Sequence, residues 1–446
     1  MKCHGDPVPN GRQGKERGMK VKNKNVFFKV FPGIALVVLF LVLIPVFPAA
    51  PAGAEKPTAI SDAETDPAVW GKIYPLQYNS YLKSKEMAAS PTGFGGSIKV
   101  QKSVMQPEML MNFKGNAFSK DYSEDRGHPY SMDDLKESKR VTPITPGSCM
   151  TCKTSNLRNI YKDMGWNYAK TPLAELLPVI KHTIACANCH DPQGMQLRVS
   201  NPAFIEAMGK RGIDVAKAPR QDMRSYVCGQ CHSEYFLEPK TSRVIFPWDK
   251  GLKPQEIYAY YQNLPSGFEM DWQHPDSQAR MLKAQHPDFE LATNGFHGKM
   301  GLACANCHMP SVQEGGVQYS SHWVTSPLKH IQASCRTCHQ QDEPLILERV
   351  KTKQNDVFQL LHTAGQTIAR AHEALGKAGA APKVNKAELG KARELLRNAQ
   401  WLWDFFAAEN SMGFHNADEA QGTLKQSNDL AKQAIGMARK AAGIKN

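Results

Sequence analysis

From residue 343 to the C-terminus, apolar side chains return every three to four positions. Glu343–Ala378, Lys386–Asn410 and Ala417–Ala442 are rich in Ala, Leu, Lys and Glu, and each predicts a long helix. In the first, Val357, Leu360, Leu361, Ala364 and Ile368 form one apolar stripe, the face such a helix buries. Arg393, Trp401, Trp403 and Phe405 add bulk to the second. These helices are expected to cap the rest of the chain; a further apolar stripe would suit pairing with a second protomer. At the other end, Ile34–Phe47 is an unbroken apolar run of fourteen, preceded by the basic stretch Lys20–Lys29 and followed by small residues up to Ala54. That order predicts an export signal over residues 1–54, cleaved after Ala54. The run is short for a membrane span and Pro45 interrupts its end, so an uncleaved anchor is the lesser alternative. Met19 is an alternative start, and Cys3 is given no role.

Between these ends, over residues 55–342, the pattern is short and irregular. Asp66–Lys83 reads as an aromatic- and proline-containing arm, 89–118 as loop, Met132–Arg140 as a helix, and 254–265 as a helix opening on proline. With 33 Gly and 29 Pro in the chain, much of this middle part is expected to be loop. The predicted class is mostly α, a loop-rich core with long C-terminal helices.

Cysteine spacing changes the picture. Four segments read C-x-x-C-H: Cys186 and Cys189 with His190, Cys228 and Cys231 with His232, Cys304 and Cys307 with His308, Cys335 and Cys338 with His339. A fifth, Cys149 and Cys152, is followed by Lys153. C-x-x-C-H is the attachment signature of c-type haem, in which two thiols bond the porphyrin vinyls and the histidine ligates iron. A lone CxxC also suits zinc or a redox pair, but four copies each followed by His do not arise by chance. Five copies use ten of the eleven cysteines, so the chain is read as a pentahaem cytochrome. Haem burial also accounts for a mean hydropathy as low as -0.46.

The formal charge is +13, of which +6 lies in residues 1–54, with eight basic and two acidic side chains. Haem propionates would offset the remainder, and no basic stripe interleaved with aromatics argues for nucleic acid. Export agrees with the motifs, because covalent haem c is assembled on the outer side of the bacterial inner membrane.

Of fifteen histidines, four follow CxxC, leaving a surplus for the second axial ligand of relay haems. Lys153 is different. An amine must lose its proton to bind iron, against an ordinary pKa near 10.4, and it has no π-accepting orbitals. An odd proximal ligand with an open opposite face suits substrate chemistry rather than electron carriage. A pure electron-transfer cytochrome is the rival reading.

One CxxCK followed by four CxxCH, behind an export signal, resembles the pentahaem cytochrome c nitrite reductases, which form ammonia. The resemblance covers most of residues 66–420. It implies a multihaem cytochrome c fold, five haem c, one Ca²⁺ and six-electron reduction of nitrite; the export signal places this in the periplasm, the long helices suit a homodimer, and a reductase acting mainly on hydroxylamine or sulfite at the same haem is a second rival. It implies Lys153 as proximal ligand of the active haem, with Arg140, Tyr235 (from CGQCHxEY) and His286 (from KAQHP) on the open face. Arg126 is the alternative arginine. Distal ligands would be His322 for the second haem, His128 for the third, His415 for the fourth and His297 for the fifth. Glu234, Tyr235, Lys283 and Gln285 match a calcium site; Lys283 and Tyr235 would ligate through backbone carbonyls, because calcium prefers oxygen. The electron donor would be a membrane quinol-oxidising multihaem cytochrome or a soluble cytochrome. His182, His330, His362 and His372 are left as structural or surface residues.

Overall fold

Three long helices, Glu343–Gly379, Lys386–Ala408 and Ala417–Ala441, dominate the computed structural model, which describes residues 59–264, 270–444. The export-signal expectation falls on residues outside these. Residues 57–446 form one compact unit. Among the described residues no helix is long and apolar enough to cross a membrane.

The stripe on the first long helix packs as its periodicity requires: Val357, Leu361, Ala364 and Ile368 are fully buried, and Leu360 at its margin is partly so. The second helix is different in kind. From Gln400 to Ala408 every side chain is buried, the mark of a helix enclosed on all sides. Its neighbours explain this. The Trp403 indole donates to the Leu361 carbonyl of the first helix at 2.9 Å, while Trp401 donates to the Pro254 carbonyl of the middle region at 2.8 Å. Alanines at 420, 431, 434 and 438 let the third helix approach closely. His372 is buried and satisfied by Ser277 Oγ at 2.9 Å and Gln400 Oε1 at 2.7 Å, a structural role.

Among the described residues the middle region is short helices and loops with three two-stranded antiparallel sheets, Phe236–Leu237 with Val244–Ile245, Trp272–Gln273 with Arg280–Met281, and Ser311–Glu314 with Val317–Ser320. Three details depart from the sequence reading. The arm over Asp66–Lys83 is helical, Pro67–Ile73 and Pro75–Leu82, each helix opening on proline. Within 89–118, Lys102–Met105 and Met109–Asn112 are helical. The second of these turns is held from outside, since the Asn112 amide donates to the Gly365 carbonyl at 3.1 Å and Glu108 contacts His362 at 3.1 Å. The helix expected over Met132–Arg140 runs Ser131–Glu137 and stops there. Asp121 draws the chain out of helical geometry there by accepting from Ser138 Oγ at 3.0 Å and the Lys139 amide at 2.8 Å. Arg140 therefore lies in the turn beyond the helix.

The second long helix likewise ends where a side chain captures the next amide: Asn410 N donates to Asp288 Oδ1 at 3.0 Å. Gly413 follows in the left-handed region at φ 78°, and a Cβ there would lie 2.7 Å from Val357. Only glycine fits this turn without strain, and the turn delivers His415 to the interior.

Candidate active site

All ten motif cysteines, the lysine and four histidines that follow them, and His128, His297, His322 and His415 line one cavity of about 1630 Å³. Ordinary ligand pockets hold roughly 300–1,000 Å³, so this space suits several large groups. The ten thiols form no disulfide.

Across the cavity the histidines face one another in pairs. Ring centroids are 6.0 Å apart for His190 and His322, 6.4 Å for His128 and His232, 6.3 Å for His308 and His415, and 6.2 Å for His297 and His339. A metal ion bonded at about 2 Å to one nitrogen of each ring separates such centroids by about 6 Å. Each gap is too wide for direct hydrogen bonding and leaves room for a single atom. These are the four partnerships that the resemblance implies. Burial pushes His128, His308 and His322 down to about 4 and lowers His190 and His297. They are therefore neutral, the state a metal ligand needs. His415 is pushed the other way: burial opposes its charge, but Asp288 and Glu409 hold it at about 10, so ligation there must displace a proton, as at Lys153. The residues fit the haem set.

The motifs also touch in an order that spacing does not reveal. The Cys152 thiol of the first lies against Cys231 of the third, and Cys228 of the third against Cys304 of the fourth. Cys307 of the fourth feels Cys335 of the fifth. The second joins through Gln230, whose amide donates to the Asn188 carbonyl at 3.0 Å. The third motif is thus the hub, joining the first, second and fourth.

Lys153 Nζ donates to Asp125 Oδ2 at 2.8 Å. Burial pulls this amine down, but the Asp125 carboxylate outweighs burial and holds it above its ordinary range. Asp125 is the acceptor nearest a proton that metal ligation must displace. It precedes Arg126-Gly127-His128 and was not singled out from sequence. Its field also reaches His286 and Arg140. Arg140 rests over the Phe118 ring at 4.2 Å and acts electrostatically on Tyr235 and Cys149. No salt bridge ties Arg140 to an acid among the described residues. Arg126, its alternative, is committed: Nε is 2.8 Å from Asp134 and a terminal nitrogen 3.1 Å from Glu137. Tyr235 lines the cavity, and burial raises its phenol, with Cys152 and Cys149 adding to the effect. His286 lines it too, pushed down to about 4 by burial, with Nε2 2.6 Å from His232 Nδ1 and 3.1 Å from the Asn410 amide.

Behind this wall, Glu234 is fully buried and accepts from the Gln285 amide at 2.6 Å and the Tyr261 hydroxyl at 2.9 Å. Gln285 Nε2 donates to the Lys283 carbonyl at 3.2 Å. The Lys283 ammonium points away to Asp404 at 2.8 Å, leaving its carbonyl as the oxygen offered to a cation. Burial raises Glu234, with Glu290 beside it adding to the effect, and Glu290 Oε2 has no hydrogen-bond partner. Two buried carboxylates with one orphaned oxygen suit a hard cation. Tyr261 and Glu290 complete this pocket and were not read from sequence.

The sequence profile of cytochrome c552 matches residues 66–445. A cytochrome c-552 of Parabacteroides distasonis is 36% identical over 387 residues, covering 85% of this chain and 77% of its own. The cytochrome c nitrite reductase subunit NrfA of Nitratidesulfovibrio vulgaris is 34% identical over 457 residues, covering 93% and 87%. Among solved structures, the catalytic subunit of cytochrome c nitrite reductase from Desulfovibrio desulfuricans, described as having two calcium sites, superposes with a TM-score of 0.83 at 32% identity, covering 87% of this chain and 88% of that one. With that fold, these relatives and one CxxCK followed by four CxxCH around one cavity, the chain belongs to the cytochrome c552 family, the pentahaem cytochrome c nitrite reductases.

Proposed function

We propose that the chain reduces nitrite to ammonium in the periplasm, at the group held by Cys149, Cys152 and Lys153. One nitrite takes up six electrons and eight protons, giving ammonium and two waters. The observation that carries this reading is the contrast within one cavity: four motifs have a histidine opposite their own, whereas Lys153 shares its end with Arg140, Tyr235 and His286. A pure electron carrier has no use for that difference. When bound, five haem c supply electron transfer and, at the lysine end, a coordination position for substrate. The histidine pairs 190/322, 232/128, 308/415 and 339/297 would hold the other four. The chain's own residues do the rest. Arg140 offers charge-assisted hydrogen bonds to an anion's oxygens, and the neutral His286 and Tyr235 offer N–H and O–H hydrogen bonds along which protons are relayed. Glu234, Gln285 and the carbonyls of Tyr235 and Lys283 would hold Ca²⁺, whose charge favours an anionic substrate.

Electrons come from a quinol-oxidising membrane cytochrome or a soluble one, and protomers pair through the long helices. The test is consumption of nitrite with stoichiometric ammonium by the dithionite-free, viologen-reduced holoenzyme. A viologen that stays reduced when nitrite is added sinks the reading. Hydroxylamine and sulfite are compared in the same assay.

The two arginines separate cleanly. Arg140→Ala is expected to raise KM for nitrite and cut kcat/KM by roughly 100-fold, the scale of one lost charge-stabilising donor. Arg126→Ala breaks two ion pairs and is expected to lower Tm while leaving KM in place. Steady-state kinetics and a melting curve decide between them, and equal KM effects refute the assignment.

A further inference from the structure

Asp288 stands two residues after His286, and the proposed chemistry does not yet use it. Its carboxylate is buried among three imidazoles that serve different tasks. Oδ2 lies 3.2 Å from His286 Nε2 and 3.7 Å from His232 Nδ1, and Oδ1 lies 3.4 Å from His415 Nδ1. Asn410 anchors it, its backbone amide donating to Oδ1 at 3.0 Å and its side chain to Oδ2 at 3.2 Å. One side chain thus bridges the substrate end, the third motif's histidine, and the histidine facing the fourth.

The other axial histidines with a defined Nδ1 partner meet neutral groups. His190 Nδ1 contacts the Met195 carbonyl at 3.0 Å, His308 the Thr325 carbonyl at 3.1 Å, and His322 the Ser320 carbonyl at 2.8 Å. Of the axial histidines, all among the described residues, only His232 and His415 have a carboxylate near Nδ1. His415 has a second, Glu409 at 3.6 Å, whose oxygens are already engaged by the Ser411 amide and hydroxyl and by the Gly413 amide. A negative charge beyond an axial imidazole makes the ring a stronger donor and favours the oxidised metal. In a buried setting this effect is weakly screened.

We propose that Asp288 is a positioning residue shared by the reaction site and the electron relay, orienting His286 and lowering the potentials of the third and fourth haems together through His232 and His415. The third motif touches the first and the fourth touches the third. A common carboxylate therefore keeps the haem next to the substrate end matched to its neighbour at the fourth motif, and ties both to the side chain that faces substrate. This rests on the nitrite-reductase reading for the role of His286, but not for the potentials.

The experiment uses the purified holoenzyme and its Asp288→Asn and Asp288→Glu variants. Midpoints are resolved by EPR-monitored redox titration without nitrite, and kcat and KM are measured with it. Asp288→Asn is expected to keep five haems and move two midpoints upward. The haem between His190 and His322 stays in place as an internal control. kcat should fall roughly 10–100-fold, the usual cost of losing an outer partner, with a smaller change in KM, and Asp288→Glu should restore part of both. Five unmoved midpoints, or loss of haem from the Asn variant, overturn the proposal. Wild-type enzyme that ignores nitrite while the two midpoints still shift would sink the functional reading and leave the relay role standing.

Discussion

Lys153→His keeps five covalently attached haems, because both thiols of the first motif remain, but it removes most nitrite turnover. A histidine at 153 would have the same ligand type as His190, His232, His308 and His339. It would lose the ligand type that distinguishes this motif from the other four. Imidazole is a weaker σ-donor than an amine and can accept π density, so less electron density is available to a ligand on the opposite face. It also loses the contact between Lys153 Nζ and Asp125 at 2.8 Å, and a rigid ring cannot follow the lysine's path. The expected fall exceeds roughly 100-fold, the upper end for loss of a mere outer partner. A haemochrome assay counts the haems, and the EPR spectrum reports the changed ligand field. Turnover equal to wild type would show that lysine is dispensable.

His286→Asn is expected to lower kcat by roughly 10²–10⁴, the range for a lost general acid, with haem content and Tm close to wild type. The structure adds a redox signature. His286 Nε2 is 2.6 Å from His232 Nδ1, so the third haem's midpoint should move while those of the second and fifth stay. A variant that loses all haem signals would instead mark His286 as structural. Full turnover would remove it from the chemistry.

The long helices were legible in the sequence because a 3.6-residue period is a local property. Val357, Leu361, Ala364 and Ile368 point to one side whatever they pack against. The cofactor class was legible for a similar reason, since two thiols and a ligand must lie within five residues to hold one porphyrin. Helix ends were less legible. Glu137 ends its helix because Asp121, distant in sequence, captures the Ser138 hydroxyl and the Lys139 amide, and Ala408 because Asp288 captures the Asn410 amide. The short helix at Met109–Asn112 has too few turns to carry a period of its own, and its hydrogen bonds run to the first long helix.

By itself, then, the sequence determined the five attachment points, the odd lysine among them and the helical frame, all of which depend on near neighbours in the chain. The tertiary structure decided which motif abuts which and which arginine, among the described residues, is not tied into a salt bridge. It also decided that Asp125 sits on Lys153, and that Asp288 joins His286 to His232 and His415. Those relations span from a few to well over a hundred residues of chain. They exist only once loops of no regular period have been wrapped around a common interior, where burial and the carboxylates of Asp125, Asp288 and Glu409 together set the charge states of these side chains.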